Sequence, residues 1–301
     1  MANPMQSTNN AVWIPTIIAN ETLGALKNYL QLGRTVAKDS ELTTSEVGKI
    51  IQVPKRGALS ANQKNESSDV TVQQPTGTST NVTLNQHWEV TFAEEDFTRV
   101  LQQPGSTLPG YVEDAVIALA EKIETVLAQL HPSVVHTITA ASPPVLGDMN
   151  KVREKMVNNK VPLLATKFAY LHPSVVTALL NVGAFSNPQF AENNRPLFEG
   201  AIARLYGMDI FEGQLVQATG SPVAYHSLIY TRNALVLASR PLPQIDPSLG
   251  VQSAVVQDDN GIALRLIRSY NASKLATQVT LDVLFGAAVL DDRLVVELES
   301  V

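Results

Sequence analysis

The side chains that could do chemistry in this sequence are few. None of the 301 residues is a cysteine, which removes thiol nucleophiles, disulfide scaffolds, Cys-ligated zinc and iron–sulfur clusters. Five histidines remain, His87, His131, His136, His172 and His226, and no two have the i, i+4 spacing that would put a ligand pair on one helical face. His131 and His172 each precede a proline, where an element ends, and His87 falls on the polar face of a strand. The carboxylate pairs Asp258-Asp259 and Asp291-Asp292 lie in a hairpin turn and between two apolar strands. Neighbours on a strand point to opposite faces, so both pairs read as turn chemistry. Glu94-Glu95-Asp96 reads as the solvated first turn of a helix rather than a hard-metal site. The sequence has no G-x-S-x-G elbow, no phosphate-binding G-x-x-x-x-G-K-[ST] loop, no G-x-G-x-x-G and no H-E-x-x-H. No catalytic residue, no cofactor and no metal site is expected.

Charge and hydropathy exclude further classes. The chain carries 28 acidic and 22 basic side chains, a net charge of −6, whereas gripping nucleic acid through phosphates calls for a Lys/Arg surplus. The first ten residues hold no Lys or Arg and no apolar run, so no signal peptide is expected there. Without one, the N-x-[ST] triplets at Asn20, Asn65, Asn81 and Asn271 carry no weight. The longest uncharged apolar run, Val283 to Leu290, falls far short of the roughly 20 residues of a spanning helix, so no membrane partner is expected.

The elements that must position these residues follow from periodicity. Ile17, Ile18, Leu23, Leu26 and Leu30 recur at helical spacing, and this helix must dock either on its own body or on another copy. Residues 41–86 include 21 Ser, Thr, Asn or Gln and no aromatic residue, so the segment cannot bury much of its own surface. Strand signals bracket it: Lys49 to Val53 going out, then a return strand with Val82, Leu84, Trp88, Val90 and Phe92 on one face. The reading is a long two-stranded arm whose polar tip carries Lys55, Arg56 and Lys64. A two-stranded ribbon is marginal alone in water, so it should lie on a partner.

Ala93–Gln102 reads as a short helix. The long helix 110–130 shows an apolar stripe of Val112, Val116, Leu119, Ile123, Val126, Leu127 and Leu130, with Glu113, Asp114, Glu121, Lys122, Glu124 and Gln129 on the wet face. His131-Pro132 stops it. Helices are expected at Lys151–Asn159, Ser174–Asn181 and Phe198–Tyr206, the last closed by Gly207. Strands are expected at 167–171, 208–211, 228–230, 234–237, 251–256, 262–267, 279–285 and 294–298. Asp258-Asp259-Asn260-Gly261 supplies a hairpin turn.

This order of parts resembles the HK97-type fold of tailed-bacteriophage major capsid proteins over essentially the whole chain. The segments that carry the resemblance are IIQVPKRG and VTLNQHWEVTFAEEDF as the legs of an extended loop, and GYVEDAVIALAEKIETVLAQL as a spine helix. KFAYLHPSVVTALL, FEGAIARLYGMDIFEGQLV and SLIYTRNALVLASRP are similar to the axial-domain strand and helix, the stretch after them, and the returning strand pair. The resemblance implies an α+β, HK97-like capsid fold. Its parts would be an N-terminal arm at 1–40, the extended loop (E-loop) at 41–86 and a peripheral domain at 87–135 with its spine helix at 110–130. An axial domain at 136–260 and closing strands at 261–301, returning to the peripheral domain, would complete it.

The same resemblance implies a structural protein and no enzyme. It would be a major capsid protein that self-assembles into the pentamers and hexamers of an icosahedral shell around double-stranded DNA. Its place would be the virion capsid, assembled in the host bacterial cytoplasm. Its partners would be copies of itself, a portal, decoration or cement proteins, and DNA through weak non-specific contact. Because the arm begins almost at Met1, scaffolding is expected to be a separate protein. Candidate inter-subunit contacts are Trp13, Ile17 and Leu26 on the arm and Lys55, Arg56 and Lys64 on the loop. The archetype's Lys–Asn cross-link is not expected, since no local signal marks an acceptor Asn or a catalytic Glu. The alternative is an encapsulin-type shell or another phage structural shell or tube subunit.

Overall fold

The computed structural model describes residues 15–38, 50–57, 59–74, 76–97, 108–182, 204–257 and 262–301. The strands are β1 (Ala37–Lys38), β2 (Ile50–Arg56), β3 (Gly77–Thr83), β4 (Gln86–Glu95), β5 (Thr137–Thr139), β6 (Lys167–Leu171), β7 (Arg204–Leu205) and β8 (Met208–Glu212). Then come β9 (Gln217–Thr219), β10 (Ala224–Thr231), β11 (Leu235–Arg240), β12 (Gln252–Gln257), β13 (Ala263–Asn271), β14 (Ala276–Val289) and β15 (Val295–Ser300). They form two large sheets and a separate ribbon. The first sheet runs β1-β11-β14-β13-β12, with β4 also paired to β14. The second runs β5-β15-β10-β6-β8-β7, with β9 on β10. The ribbon is β2-β3. Among the described residues no helix is long and apolar enough to cross a membrane.

A first core lies between the first sheet, the helix Pro15–Tyr29 and the long helix Leu108–Ala128. The long helix has 21 residues, a rod of about 31 Å at about 1.5 Å per residue. Its stripe of Val116, Leu119, Ile123 and Leu127 is buried, and Val279, Leu281, Val283 and Phe285 of β14 alternate into the same core. The second core lies between the second sheet and the helices Leu146–Asn158 and Pro173–Leu180, around Met149, Val152, Met156, Val175 and Leu179. Strand β10 serves both cores: Leu228 and Tyr230 enter the first, and Ile229 between them enters the second.

Several expectations are corrected. Of the helix expected at 93–102, helical residues begin only at Asp96–Phe97, 98–102 lie outside the described residues, and Glu94 and Glu95 come before it. They extend β4, paired to Thr277 and Ala276 of β14, because ten consecutive ladder positions outweigh a local preference of three acidic residues for a helix start. The return strand is broken after Thr83, so Val82 and Leu84 pack under the ribbon while Val90 and Phe92 pack on the first core. Of the helix expected at 198–206, residues 198–203 lie outside the described residues. Arg204–Leu205 is a strand, and Tyr206 (φ 48°) and Gly207 (φ 79°) make the two-residue turn of a hairpin with β8. Two successive positive φ angles match the twist of the flanking strands.

The helix expected at 151–159 begins earlier, at Leu146, where Asp148 accepts hydrogen bonds from the Ala141 and Val145 amides. The turn at 258–261 lies outside the described residues, but the β12–β13 register on either side of it is that of a hairpin.

Nor do the expected boundaries at 136–260 and 261–301 follow the sheets. After the tight turn at 231–234 the chain leaves the second sheet, so β11 and β12 join the first sheet with β13 and β14, and β15 returns to the second. Hairpin-connected strands with apolar residues on both faces can join either of two sheets that share a core, and local pattern does not choose between them.

Candidate functional site

The ribbon β2–β3 is the feature least explained by the chain's own core. Its ladder pairs Ile50 with Thr83 through to Arg56 with Gly77. At its base Ile51, Val53, Val82 and Leu84 are buried against Val236 and Ala238 of β11. Gly286 on β14 permits this seat, since a Cβ there would meet the Thr83 carbonyl oxygen at 2.2 Å. Lys55 makes an ion pair of 3.2 Å with Asp291. Asp291 also takes a bidentate contact from Arg293, and that hydrogen bonding, foremost from Arg293, holds its carboxyl down at about 2. One of the three arm cations is therefore held by its own chain.

Beyond the ladder, residues 59–74 run out exposed apart from a half-buried Gln73. The Ser60 amide donates to Gln73 Oε1 at 2.9 Å, and Asn65–Ser68 closes the tip. Lys64 is exposed there; the strand carries Arg56, whose side chain lies outside the described residues. Leu59, Val70 and Val72 are exposed by 66%, 70% and 89%. The tip thus presents aliphatic side chains, which its aromatic-free composition obscures.

The first helix differs from the ribbon. Ala19, Leu23, Leu26 and Leu30 are buried in the first core, against the long helix and β12–β13. Leu26, 0% exposed, is therefore no free contact for a neighbour; the helix docks on its own body through these side chains. Ile17 lies in this helix, its side chain outside the described residues, and Trp13 lies outside them altogether.

The dock depends on a side chain that the periodicity places on the wet face. Glu124 is 3% exposed. Its Oε1 accepts from the Gln31 and Gly33 amides and its Oε2 from the Leu32 amide, each at 2.9 Å. These are unpaired donors of the short helical turn Leu32–Thr35, so the carboxylate acts as a cap supplied from another element. Burial pushes the Glu124 carboxyl up against the pull of the three amides. A cavity of about 170 Å³ lies beside it, between Tyr29, Tyr170 and Leu215. Burial, and secondarily the Glu124 charge, push Tyr170 up to about 12. No spacing in the sequence separates this cap from a solvated glutamate on the same helix.

The histidines also come together in part. His131 and His226 meet Glu297 just past the C-terminal end of the long helix. His172 instead caps the helix Pro173–Leu180, accepting from the Ser174 amide, and His87 lies 3.2 Å from Asp282.

No family model matches the sequence, and no curated protein matches it. Solved structures do. The capsid structure of the cyanophage P-SCSP1u is similar with a TM-score of 0.64 at 13% identity, over 88% of this chain and 86% of that one. The acid-stable capsid of Helicobacter pylori bacteriophage KHP30 gives 0.62 at 9% identity, over 88% and 87%. A Mycobacterium phage Che8 structure gives 0.61 at 15%, over 84% and 85%. At such identities the likeness is one of backbone arrangement, and it spans nearly the full length of both partners. The chain has the HK97-like α+β fold, in common with these phage structures.

Proposed function

We propose that this chain is the major capsid protein of a tailed bacteriophage, a subunit that assembles with copies of itself into a closed icosahedral shell around double-stranded DNA. The observation that carries this reading is the likeness of fold to phage capsid structures over 88% of the chain. The ribbon supports it. Its base is seated on the chain's own sheet, while its far half exposes Leu59, Val70 and Val72 and gains apolar burial only from a neighbour. Repeated contacts of one patch with another close rings first and then a shell. In this reading pentamers and hexamers form in the host cytoplasm with a separate scaffolding protein and a portal, decoration proteins bind outside, and the acidic balance keeps contact with packaged DNA weak. The subunit works as a building block without catalysis.

The test is electron microscopy and light scattering on the purified full chain, beside a variant in which residues 59–74 are replaced by a short glycine linker. Wild type is expected to form rings or shells. The variant is expected to melt at the wild-type temperature and stay unassembled. A wild type that remains monomeric under all salt and crowding conditions refutes the reading, and a variant that makes normal shells refutes the role given to the ribbon.

A further inference from the structure

His131, His226 and Glu297 come from three separate segments and have no part in the assembly surfaces described above. His131 opens the 3-10 turn His131–Ser133 that follows the long helix, His226 lies on β10 and Glu297 on β15. The two imidazoles are stacked, with centroids 4.1 Å apart and planes 14° from parallel. Glu297 Oε1 lies 2.6 Å from His226 Nδ1 and 3.4 Å from His131 Nδ1. Glu297 Oε2 accepts from the Thr137 hydroxyl at 2.9 Å, and His226 Nε2 is hydrogen-bonded to the Thr219 hydroxyl. The Glu297 amide donates to the His136 carbonyl at 2.8 Å. His226 and Glu297 are buried and His131 is nearly so, its side chain 13% exposed. The cluster therefore ties the end of the long helix to β5, β9, β10 and β15 at the seam between the two cores.

This arrangement suits a proton better than a metal. Ring planes that are nearly parallel and about 4 Å apart meet far outside bonding range, whereas ligand lone pairs must converge on one ion. Both nitrogens of His226 are, moreover, already engaged. One carboxylate balances one imidazolium. A second imidazolium, stacked on the first and shielded from water, has no counter-charge within the cluster. The other titratable groups on the packed elements are Glu299, opposite His226 across the β10–β15 ladder, Tyr225 and Tyr230 on β10, His136 just before β5, and Glu121, Lys122 and Glu124 in the last two turns of the long helix.

We propose that His131, His226 and Glu297 form an acid-sensitive latch, closed while at most one of the stacked imidazoles is protonated and opened when both are. Burial, and then the neighbouring His226, hold the His131 imidazole below its ordinary value. A base with a depressed folded pKa stabilises fully above its unfolded value of about 6.5, and that stability is lost as pH falls below it. The latch stands independently of the capsid reading.

The test is a set of melts of the unassembled full chain from pH 7.5 to 5.5, for wild type and for His131→Phe, which keeps a stacked ring that cannot titrate. Wild type is expected to lose melting temperature across this range more steeply than the variant. His172, also depressed by burial, adds the same slope to both and cancels. Superimposable curves overturn the proposal. Hydrogen–deuterium exchange of wild type alone reads the latch directly, so the test survives a variant that fails to fold. Corrected for intrinsic rates, exchange at residues 129–139 is expected to rise at pH 5.5, and unchanged protection there overturns it. A rise in the wild-type melting temperature with equimolar Zn²⁺, absent in His131→Phe, also overturns it, by assigning the cluster to a metal.

Discussion

Replacing Glu124 by alanine tests the docking of the first helix most directly. The carboxylate accepts three amides, of which those of Leu32 and Gly33 are buried and that of Gln31 is only partly so. An unmatched buried donor costs about 1–3 kcal/mol, so two cost about 2–6 kcal/mol on the same scale. Relief of the desolvated carboxylate offsets part of this, in keeping with the burial that pushes Glu124 up. The truncation also enlarges the neighbouring cavity. The expected net loss is about 2–4 kcal/mol, similar to the about 2–5 kcal/mol expected of Ile123→Ala in the buried stripe.

Glu124→Gln sharpens the test. An amide oxygen in the place of Oε1 keeps the Gln31 and Gly33 bonds, while the NH₂ group confronts the Leu32 amide, so an intermediate loss of about 1–3 kcal/mol is expected. The pH dependence has a definite sign. A carboxyl whose folded pKa is raised contributes its stability below the unfolded value of about 4.3 and loses it as pH rises through the folded value. Glu124→Gln should remove that slope. The assay is denaturant unfolding of unassembled protein, read as a midpoint shift at constant m-value. If Glu124→Ala falls within about 0.5 kcal/mol of wild type, the range of exposed positions, the cap does not hold the helix and the argument fails.

Two further outcomes follow from the ribbon's base. Gly286→Ala places a methyl group against the Thr83 carbonyl and the Leu84 backbone; a loss of about 1–3 kcal/mol from overpacking is expected, with faster proteolysis between residues 57 and 77, and an unchanged cleavage rate would show that the ribbon is not seated there. Asp291, held at about 2 chiefly by Arg293, contributes stability above its unfolded value of about 3.9 that is lost as pH falls toward 2. Acid titration of Asp291→Asn should therefore show a shallower loss than wild type between those limits, and equal curves would mean that the Arg293 and Lys55 contacts do not form.

The helix 108–128 and the first helix were legible because each has a wet side and a buried side, and β14 because every second residue from Val279 to Phe285 is apolar and enters the first core, so a 3.6- or 2-residue period appears in the letters. The order of these elements carried the resemblance to a capsid fold. Periodicity failed where a segment is buried on both sides or governed by a distant strand. Leu228, Ile229 and Tyr230 read as one apolar run; strand geometry sends them to opposite faces, and only the tertiary packing makes each face part of a core. Glu94 and Glu95 resemble a helix start until β14 lies beside them.

Glu124 shows the limit most clearly. Among Glu113, Glu121 and Glu124 the sequence offers no distinction, and burial of one of them follows from where residues 31–33, more than ninety positions away, happen to present their free amides. His131, His226 and Glu297 likewise share no spacing, since a helix end and two strands bring them together. Local periodicity reports which face of an element is dry. Which distant polar groups meet across that dry face depends on tertiary packing, because the free energy that fixes them, desolvation against a few hydrogen bonds, exists only once the elements have closed on one another.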